Sequence, residues 1–596
     1  MKGDLVFGMA GSGGDGIVSA GESLIAAAAA AGYHAIMTKS FGSQIRGGES
    51  SCRVRIATTE VLNPGGALDV AIALNWDDFM RFGAELPVSG STVVLYDAAT
   101  GVQPHELPLV GVTPNEVLPV PIADLAREHA GSERAKNTVI LGLIAGLFGL
   151  SREGLLEGFR QKLARKGDEV LQAAERAFVA GEAWAAAHPL REPMPLAKPA
   201  VTAPAKVLTD GNEICGAAAI FAGCRFFGGY PITPSTEIMQ FLSREIWKYD
   251  GAVLQAEDEI AGIGAAVGAS FAGVKAMTAT SGPGMSLKSE ILGLASIAEL
   301  PLVIVNVQRG GPSTGMPTKP EQADLYQAAF SANGDVVRPV LAPTTVADTF
   351  WTTVQAFNVA EHYQTPVIVL SDQEIGQRKE TLDPIDTSAM EIEERRRPGE
   401  GELQDYARFA ITASGISPIS QPGMRGGNYL ASGIEHNERG APTASGVMHS
   451  RMTQKRLHKF DTLKRRRDLF RVFGDESAPV GLVSWGSCAG VCREALARAR
   501  ANGLKAKLLV PYLLYPVAEE VYEDFFASVR VGLIVEQSHQ GQLYRMLRMF
   551  VELPRGVRSF AKNGANPFLP TEVAGHLQEA AETLQRERGD RHEPQE

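Results

Sequence analysis

The sequence predicts an α/β protein of three α/β domains, joined by a proline-rich linker and a long irregular loop. Three observations carry that expectation. The length, 596 residues, exceeds what one hydrophobic core organises. Strand-like apolar runs alternate with helical runs in three separate regions, the pattern of sheets covered by helices. Two stretches without apolar periodicity divide those regions. The expected boundaries are 1–188, 206–375 and 471–570 for the domains, 189–205 for the linker, 376–470 for an extended loop and basic helix, and 571–596 for a charged tail.

In the first region, residues 5–9 and 93–96 read as strands and 16–31 and 136–148 as helices, which suggests a largely parallel sheet. The first strand runs into Gly11-Ser12-Gly13-Gly14-Asp15-Gly16. Glycines at this spacing let a backbone approach phosphate, and the helix that follows offers oriented N–H groups. A nicotinamide or flavin dinucleotide fits poorly, because 33–39 lacks the acidic residue that would hold a ribose. The next turn, 40–48, instead supplies Ser43, Arg46 and further glycines. Another phosphate-bearing ligand is expected there; plain tight turns at a sheet end are the alternative. Gly14-Asp15-Gly16 also opens the magnesium-diphosphate signature of thiamine enzymes, but 28–51 holds no asparagine to complete it.

Prolines 189, 193, 195, 199 and 204 then block helix and ladder alike, marking an extended linker. In the second region, 303–307 and 366–370 read as buried parallel strands and 261–273 as a helix of small residues. From 395 to 451 the chain is rich in Gly, Pro, Ser, Asn and Arg, a segment expected to be disordered or to wrap a partner. The basic run 455–467 permits a solvated helix. The third region reads as strand 480–485, helix 490–502 and strands 505–510 and 531–536, with 586–596 expected to fray.

Composition sets limits. Hydrophobic residues at 44% and charged residues at 21% are ordinary for a globular protein. A net charge of −11 argues against a broad nucleic-acid or anionic-membrane surface. The longest strongly apolar stretch, 138–150, is too short to span a bilayer. No signal-peptide pattern opens the chain, and five scattered cysteines fit a reducing compartment, so a cytoplasmic protein is expected. Iron–sulfur clusters need several close thiolates. Only Cys488 and Cys492 are near one another, at a spacing that fits one helix face, and His436 and His449 lack a third ligand. No metal is expected on this chain.

Four blocks carry the chemistry. Gly229-Tyr230-Pro231-Ile232-Thr233-Pro234-Ser235-Thr236-Glu237 closes a strand and opens a helix; alone it reads as an ordinary N-cap. Gln255-Ala256-Glu257-Asp258-Glu259 feeds the helix of Gly262, Gly264 and Gly268. Thr280-Ser281-Gly282-Pro283-Gly284 follows, then Gln308-Arg309-Gly310-Gly311-Pro312-Ser313-Thr314-Gly315-Met316-Pro317-Thr318. In this order the blocks resemble the pyrimidine-binding domain of 2-oxoacid:ferredoxin oxidoreductases, with the last block closest to the multi-subunit 2-oxoglutarate type. The N-terminal region is similar to that family's γ domain, fused here ahead of the α subunit. Val535-Glu536-Gln537-Ser538-His539-Gln540-Gly541-Gln542-Leu543 resembles its transketolase C-terminal-like domain.

The resemblance implies roles. Thiamine diphosphate would lie against Pro231, Ile232 and Glu259, with Glu259 meeting N1′ of the aminopyrimidine. A carboxyl group among small apolar residues can share a proton with that nitrogen, favouring the imino form that generates the carbon nucleophile. Glu257 competes for the role. Arg309 would hold the 2-oxoacid carboxylate in its fork, and Thr233 and Thr318 would donate to the carboxylate or keto oxygen. Coenzyme A would meet Gly11, Ser12, Gly13, Gly14, Asp15, Ser43 and Arg46. Mg²⁺ and a [4Fe–4S] cluster would reside on a β subunit with the diphosphate-binding half, in an (αβ)₂ heterotetramer that reduces ferredoxin. Oxidative decarboxylation of 2-oxoglutarate to succinyl-CoA is the implied reaction, or its reverse. Pyruvate, branched-chain or aryl 2-oxoacids are alternative substrates. Rivals of other classes are a non-catalytic coenzyme A- or nucleotide-binding regulatory subunit and a nicotinamide oxidoreductase. Glu536 and His539 could pair catalytically, although a packed strand end is the plainer reading.

Overall fold

The computed structural model describes residues 1–42, 48–163, 167–200, 204–565 and 567–589. One compact unit comprises Met1–Asp210 with Gln377–Asp386; the remainder forms a second.

The first unit is built on an eight-stranded sheet. Its order is Glu116–Val120, Val93–Asp97, Val70–Ala73, Asp4–Gly11, Ser50–Ala57, His34–Phe41, Lys379–Leu382 and Val207–Asp210. The first four strands run parallel, but every pair beyond Asp4–Gly11 is antiparallel. The expected largely parallel sheet is thus corrected to a mixed one. Helix Ile17–Ala30 returns the chain to His34–Phe41; the chain then turns back, and Ser50–Ala57 inserts between that strand and the first. Phe7 and Met9 face a core with Leu24, Val54, Ile140 and Phe178. Val6 and Ala10 face a second cluster with Trp76, Phe79 and Tyr96. With both faces covered, the strand reads as an unbroken apolar run.

The proline-rich segment is less free than expected. Leu190, Met194 and Leu196 are buried in the first core. The Leu196 N–H donates to the Phe148 carbonyl at 2.9 Å and the Ala197 N–H to the Lys2 carbonyl at 2.7 Å. Proline supplies no donor, but the residues between prolines do. A second correction concerns Lys379–Leu382, which lies within the expected loop yet enters this sheet between His34–Phe41 and Val207–Asp210.

The second unit holds two sheets. The larger runs Leu513–Tyr515, Val340–Leu341, Pro366–Asp372, Leu302–Gln308, Ala276–Thr280, Phe226–Gly229, Ala252–Gln255, parallel except for its first pair. The smaller runs Phe470–Gly474, Ala506–Pro511, Val480–Ser484, Val531–Glu536, Gly556–Ala561. Residues 590–596, expected to fray, lie outside the described residues; as far as these reach, the expected tail is corrected to helix Pro570–Gly589. Val573, Leu577, Ala580 and Ala581 bury one face of it against helix Cys488–Ala501 and the smaller sheet, at the i, i+4, i+7, i+8 spacing of an amphipathic helix.

The segment expected to be disordered or to wrap a partner packs on its own unit instead. Arg395 is buried, its Nη2 2.7 Å from Glu361 Oε1 and its Nη1 donating to the Ser270 carbonyl at 2.7 Å. Arg408, Phe409, Ser417 and Ile419 are buried with it. The basic run is no solvated helix. Lys455, in helix Gly446–His458, and Lys459 lie 2.5 and 3.1 Å from the two carboxylate oxygens of buried Glu299. Arg408 donates to the Glu299 carbonyl at 2.6 Å. Burial pushes the Glu299 carboxyl up, but the two lysines and Arg408 together pull it further, well below the ordinary range. Burial takes Lys459 down to about 8. Among the described residues no helix is long and apolar enough to cross a membrane.

Candidate active site

Four neighbouring strands of the larger sheet, Ala252–Gln255, Phe226–Gly229, Ala276–Thr280 and Leu302–Gln308, run parallel and so end on one edge. The carboxyl ends of parallel strands are where open α/β sheets place their ligands. The four blocks singled out in the sequence leave these four strand ends, which is how residues as far apart as Thr233 and Arg309, 76 positions, come side by side.

Glu259 is the first residue of helix Glu259–Phe271, behind Asp258, whose carboxylate accepts the Ala261 N–H at 2.8 Å. Glu259 is 8% exposed, whereas Glu257 is exposed. Two glycines make room. A Cβ at Gly284 would lie 2.9 Å from Glu259 Oε1 and collide with Thr280 Oγ1, and one at Gly262 would lie 2.8 Å from the Gly229 Cα. The helix start is therefore pressed onto the neighbouring strand end.

Arg309 is 6% exposed and donates from Nη1 to the Thr233 carbonyl at 2.5 Å. Its Nε is buried with no hydrogen-bond partner among the described residues, and burial holds the guanidinium below its ordinary pKa. Thr233, Pro231 and Ile232 are half-buried, as is Thr318. The loop bearing Thr318 folds back through Met316 N–H to Gly310 O, 2.8 Å, and Gly310 N–H to Lys319 O, 3.0 Å. Glu321 holds it in place, accepting the Gly311 N–H at 3.1 Å and the Gly564 N–H of the smaller-sheet domain at 2.9 Å.

Sequence reasoning missed several groups here. Asp324 accepts from Asn306 Nδ2 at 3.1 Å, and burial pushes its carboxyl up to about 6. Ser281 Oγ and Asn306 Oδ1 are buried without partners among the described residues. Lys288, fully buried, donates to the Glu259 carbonyl. Nothing local marks these residues, because their burial follows from the packing of helices onto the sheet. Around the site, Tyr230 and Met316 are each 40% exposed, Leu254 43%, Ile260 45% and Leu287 49%, an apolar rim of the kind that another surface covers.

Other candidates fall elsewhere. Glu536 is fully buried and accepts the Leu543 and Tyr544 N–H groups at 2.9 and 3.1 Å; burial pushes it up to about 7. It caps helix Gln542–Phe550, while His539 is exposed, so the two form no catalytic pair. In the first unit, Gly14 and Gly16 take left-handed φ values of 101° and 75°. Ser12 N–H donates to Asp15 Oδ2 at 2.9 Å, and Asp15 pairs with Lys136 at 2.7 Å. Gly13 and Gly14 are exposed and Gly11 is buried. Ser43 and Arg46 lie outside the described residues. Among the described residues no group of three or more His, Cys, Asp or Glu is placed to hold a metal ion.

Residues 217–455 match the family described as "Pyruvate flavodoxin/ferredoxin oxidoreductase, thiamine diP-bdg", and 6–184 that described as "Pyruvate ferredoxin/flavodoxin oxidoreductase". An oxidoreductase with a thiamine-diphosphate-binding domain is the class that fold and site define. The chain is 33% identical to the 2-oxoglutarate oxidoreductase subunit KorA of Mycobacterium tuberculosis, over 97% of its own length and 92% of that protein's. It is 37% identical to the 2-oxoglutarate synthase subunit KorA of Methanocaldococcus jannaschii, over 56% of its length and 89% of that protein's. A solved structure, the 2-oxoglutarate:ferredoxin oxidoreductase from Magnetococcus marinus with 2-oxoglutarate, coenzyme A and succinyl-CoA bound, matches with a TM-score of 0.91 at 37% identity, covering 97% of this chain and 100% of that one. The chain belongs to the 2-oxoacid:ferredoxin oxidoreductase family.

Proposed function

We propose that this chain is the α subunit of a 2-oxoglutarate:ferredoxin oxidoreductase, converting 2-oxoglutarate and coenzyme A to succinyl-CoA and CO₂ and passing the electrons to ferredoxin. The observation that carries the reading is the strand-end arrangement: a buried carboxylate, Glu259, in the same row as a buried arginine tied to Thr233. The preference for 2-oxoglutarate leans on the relatives, whose names specify it.

The residues present fit half of a thiamine site, since an apolar rim and one buried carboxylate suit an aminopyrimidine ring. Bound thiamine diphosphate supplies the carbon nucleophile and the electron sink for decarboxylation. Glu259 holds and returns a proton at N1′ from its carboxylate oxygen. Arg309, with one Nη fixed on Thr233, presents Nε and the rest of its fork to the substrate carboxylate. The hydroxyls of Thr233 and Thr318 donate to the carboxylate or keto oxygen, and Pro231 and Ile232 support the ring. The apolar rim excludes water once a partner covers it. That partner is the β subunit, bringing the diphosphate- and Mg²⁺-binding half and the [4Fe–4S] cluster in a cytoplasmic (αβ)₂ assembly. Coenzyme A is assigned to the first unit, at Gly13 and Gly14 with Ser43 and Arg46. Gly11 shapes that turn, while Ser12 N–H and the Asp15 carboxylate are already engaged within it.

The chain alone is expected to give no 2-oxoglutarate-dependent dye reduction, and the chain assembled with its partner to give full reduction. Full activity of the isolated chain would sink the division of labour. Arg309→Ala in the assembled enzyme is expected to lower kcat/KM by about 2–4 kcal/mol, because both the ground state and the transition state carry the carboxylate. An unchanged kcat/KM would remove Arg309 from the site.

A further inference from the structure

Lys288 lies on helix Gly282–Ile297 and is 0% exposed. Its Nζ donates to the Glu259 carbonyl oxygen at 2.9 Å and to Thr278 Oγ1 at 3.3 Å, and it forms no ion pair among the described residues. An ammonium is disfavoured here three times over. It is desolvated, it has no direct counter-ion, and it stands at the N-terminal end of helix Glu259–Phe271, where the peptide dipoles already present positive charge. A methionine would fill similar volume without these costs. Such a charge makes sense through what it acts on.

The charged groups that face it are Glu259, with the larger influence, and Asp258 just before it; strand Ala276–Thr280 beneath contributes the neutral Thr278. Burial brings the Lys288 ammonium down to about 8, so it is still charged at neutral pH. The same helix carries Gly284, whose missing side chain makes room for the Glu259 carboxylate. One helix thus both clears space for that carboxylate and sets a cation behind its backbone.

We propose that Lys288 is the positioning residue for Glu259: its bond to the Glu259 carbonyl fixes the turn from which the carboxylate projects, and its charge acts on the proton exchanged between that carboxylate and the ring. The inference rests on the role given to Glu259 above. It requires that the cation serve the proton equilibrium at the site rather than the stability of the fold, and the two can be separated.

Thiamine diphosphate is titrated calorimetrically into the assembled complex from acid to neutral pH, with wild type, Lys288→Met and Lys288→Gln, and thermal unfolding is followed in parallel. In both variants the acid limb of the affinity profile is expected to move up by about one pH unit, with Lys288→Met unfolding no lower than wild type. A limb that stays where wild type has it, whether or not the variants unfold earlier, overturns the inference. A wild-type complex with no affinity for thiamine diphosphate would instead bring down the proposed function itself.

Discussion

Glu259→Gln is expected to lower 2-oxoacid-dependent electron transfer by the assembled complex by at least about 10²–10⁴-fold, with thiamine diphosphate still bound and the unfolding midpoint unmoved. The amide keeps the shape of the carboxyl group and can hydrogen-bond to the ring, but it cannot take up and return a proton. The buried side chain sits against Gly284, in a space that glutamine fills equally well. Glu257 is exposed and has no comparable position from which to substitute. Steady-state dye reduction and calorimetric binding check the two halves of the expectation. Turnover retained near the wild-type level would take the role away from Glu259.

The second large effect concerns stability. Glu299→Gln leaves two fully buried ammonium groups, Lys455 and Lys459, without a countercharge, a change that costs about 3–5 kcal/mol when a buried pair loses one partner. The loss should be localised. Helix Gly446–His458 and the segment after Arg395 are held to the thiamine-binding domain through this carboxylate and through Arg408 on its carbonyl. Their amides should lose hydrogen-exchange protection before those of strand Leu302–Gln308. Replacing the three charges together, Glu299→Leu with Lys455→Met and Lys459→Met, should recover most of the loss, because no bare charge remains. An unfolding midpoint that Glu299→Gln leaves unchanged would contradict this account.

The sequence reveals the chemistry better than the architecture. The Tyr230–Ser235 and Arg309–Thr318 blocks are legible because their glycines and prolines fix backbone shapes that hardly any other residues could form. Glu257 and Glu259 are alike as residues, and the family resemblance favours Glu259 by its spacing to Gly264 and Gly268; the helix start at Glu259 then buries that one and leaves Glu257 exposed. Nothing in the sequence singles out Lys288, and only the approach of helix Gly282–Ile297 to the Glu259 turn reveals its burial. The pairing of Lys379–Leu382 with His34–Phe41 is hidden because the two strands lie over 300 residues apart, beyond any local signal. Helix Pro570–Gly589 was obscured by its charged face, although Val573, Leu577, Ala580 and Ala581 carry the helical repeat. The lysines around Glu299 show the same limit: a basic run says nothing of a single acid, 156 residues before Lys455, that draws it inside.

The short strand Lys379–Leu382 ties the chain together in a way that its length conceals. Cutting the polypeptide at the prolines would not release a finished N-terminal piece. The severed fragment would lack both Val207–Asp210 and Lys379–Leu382, the last two strands of its sheet. It would bare the backbone of His34–Phe41 along one flank, an open template for sticking to its own kind. The fusion of the two regions is therefore woven into the fold itself, and a version made as two separate polypeptides would need some other way to close that flank.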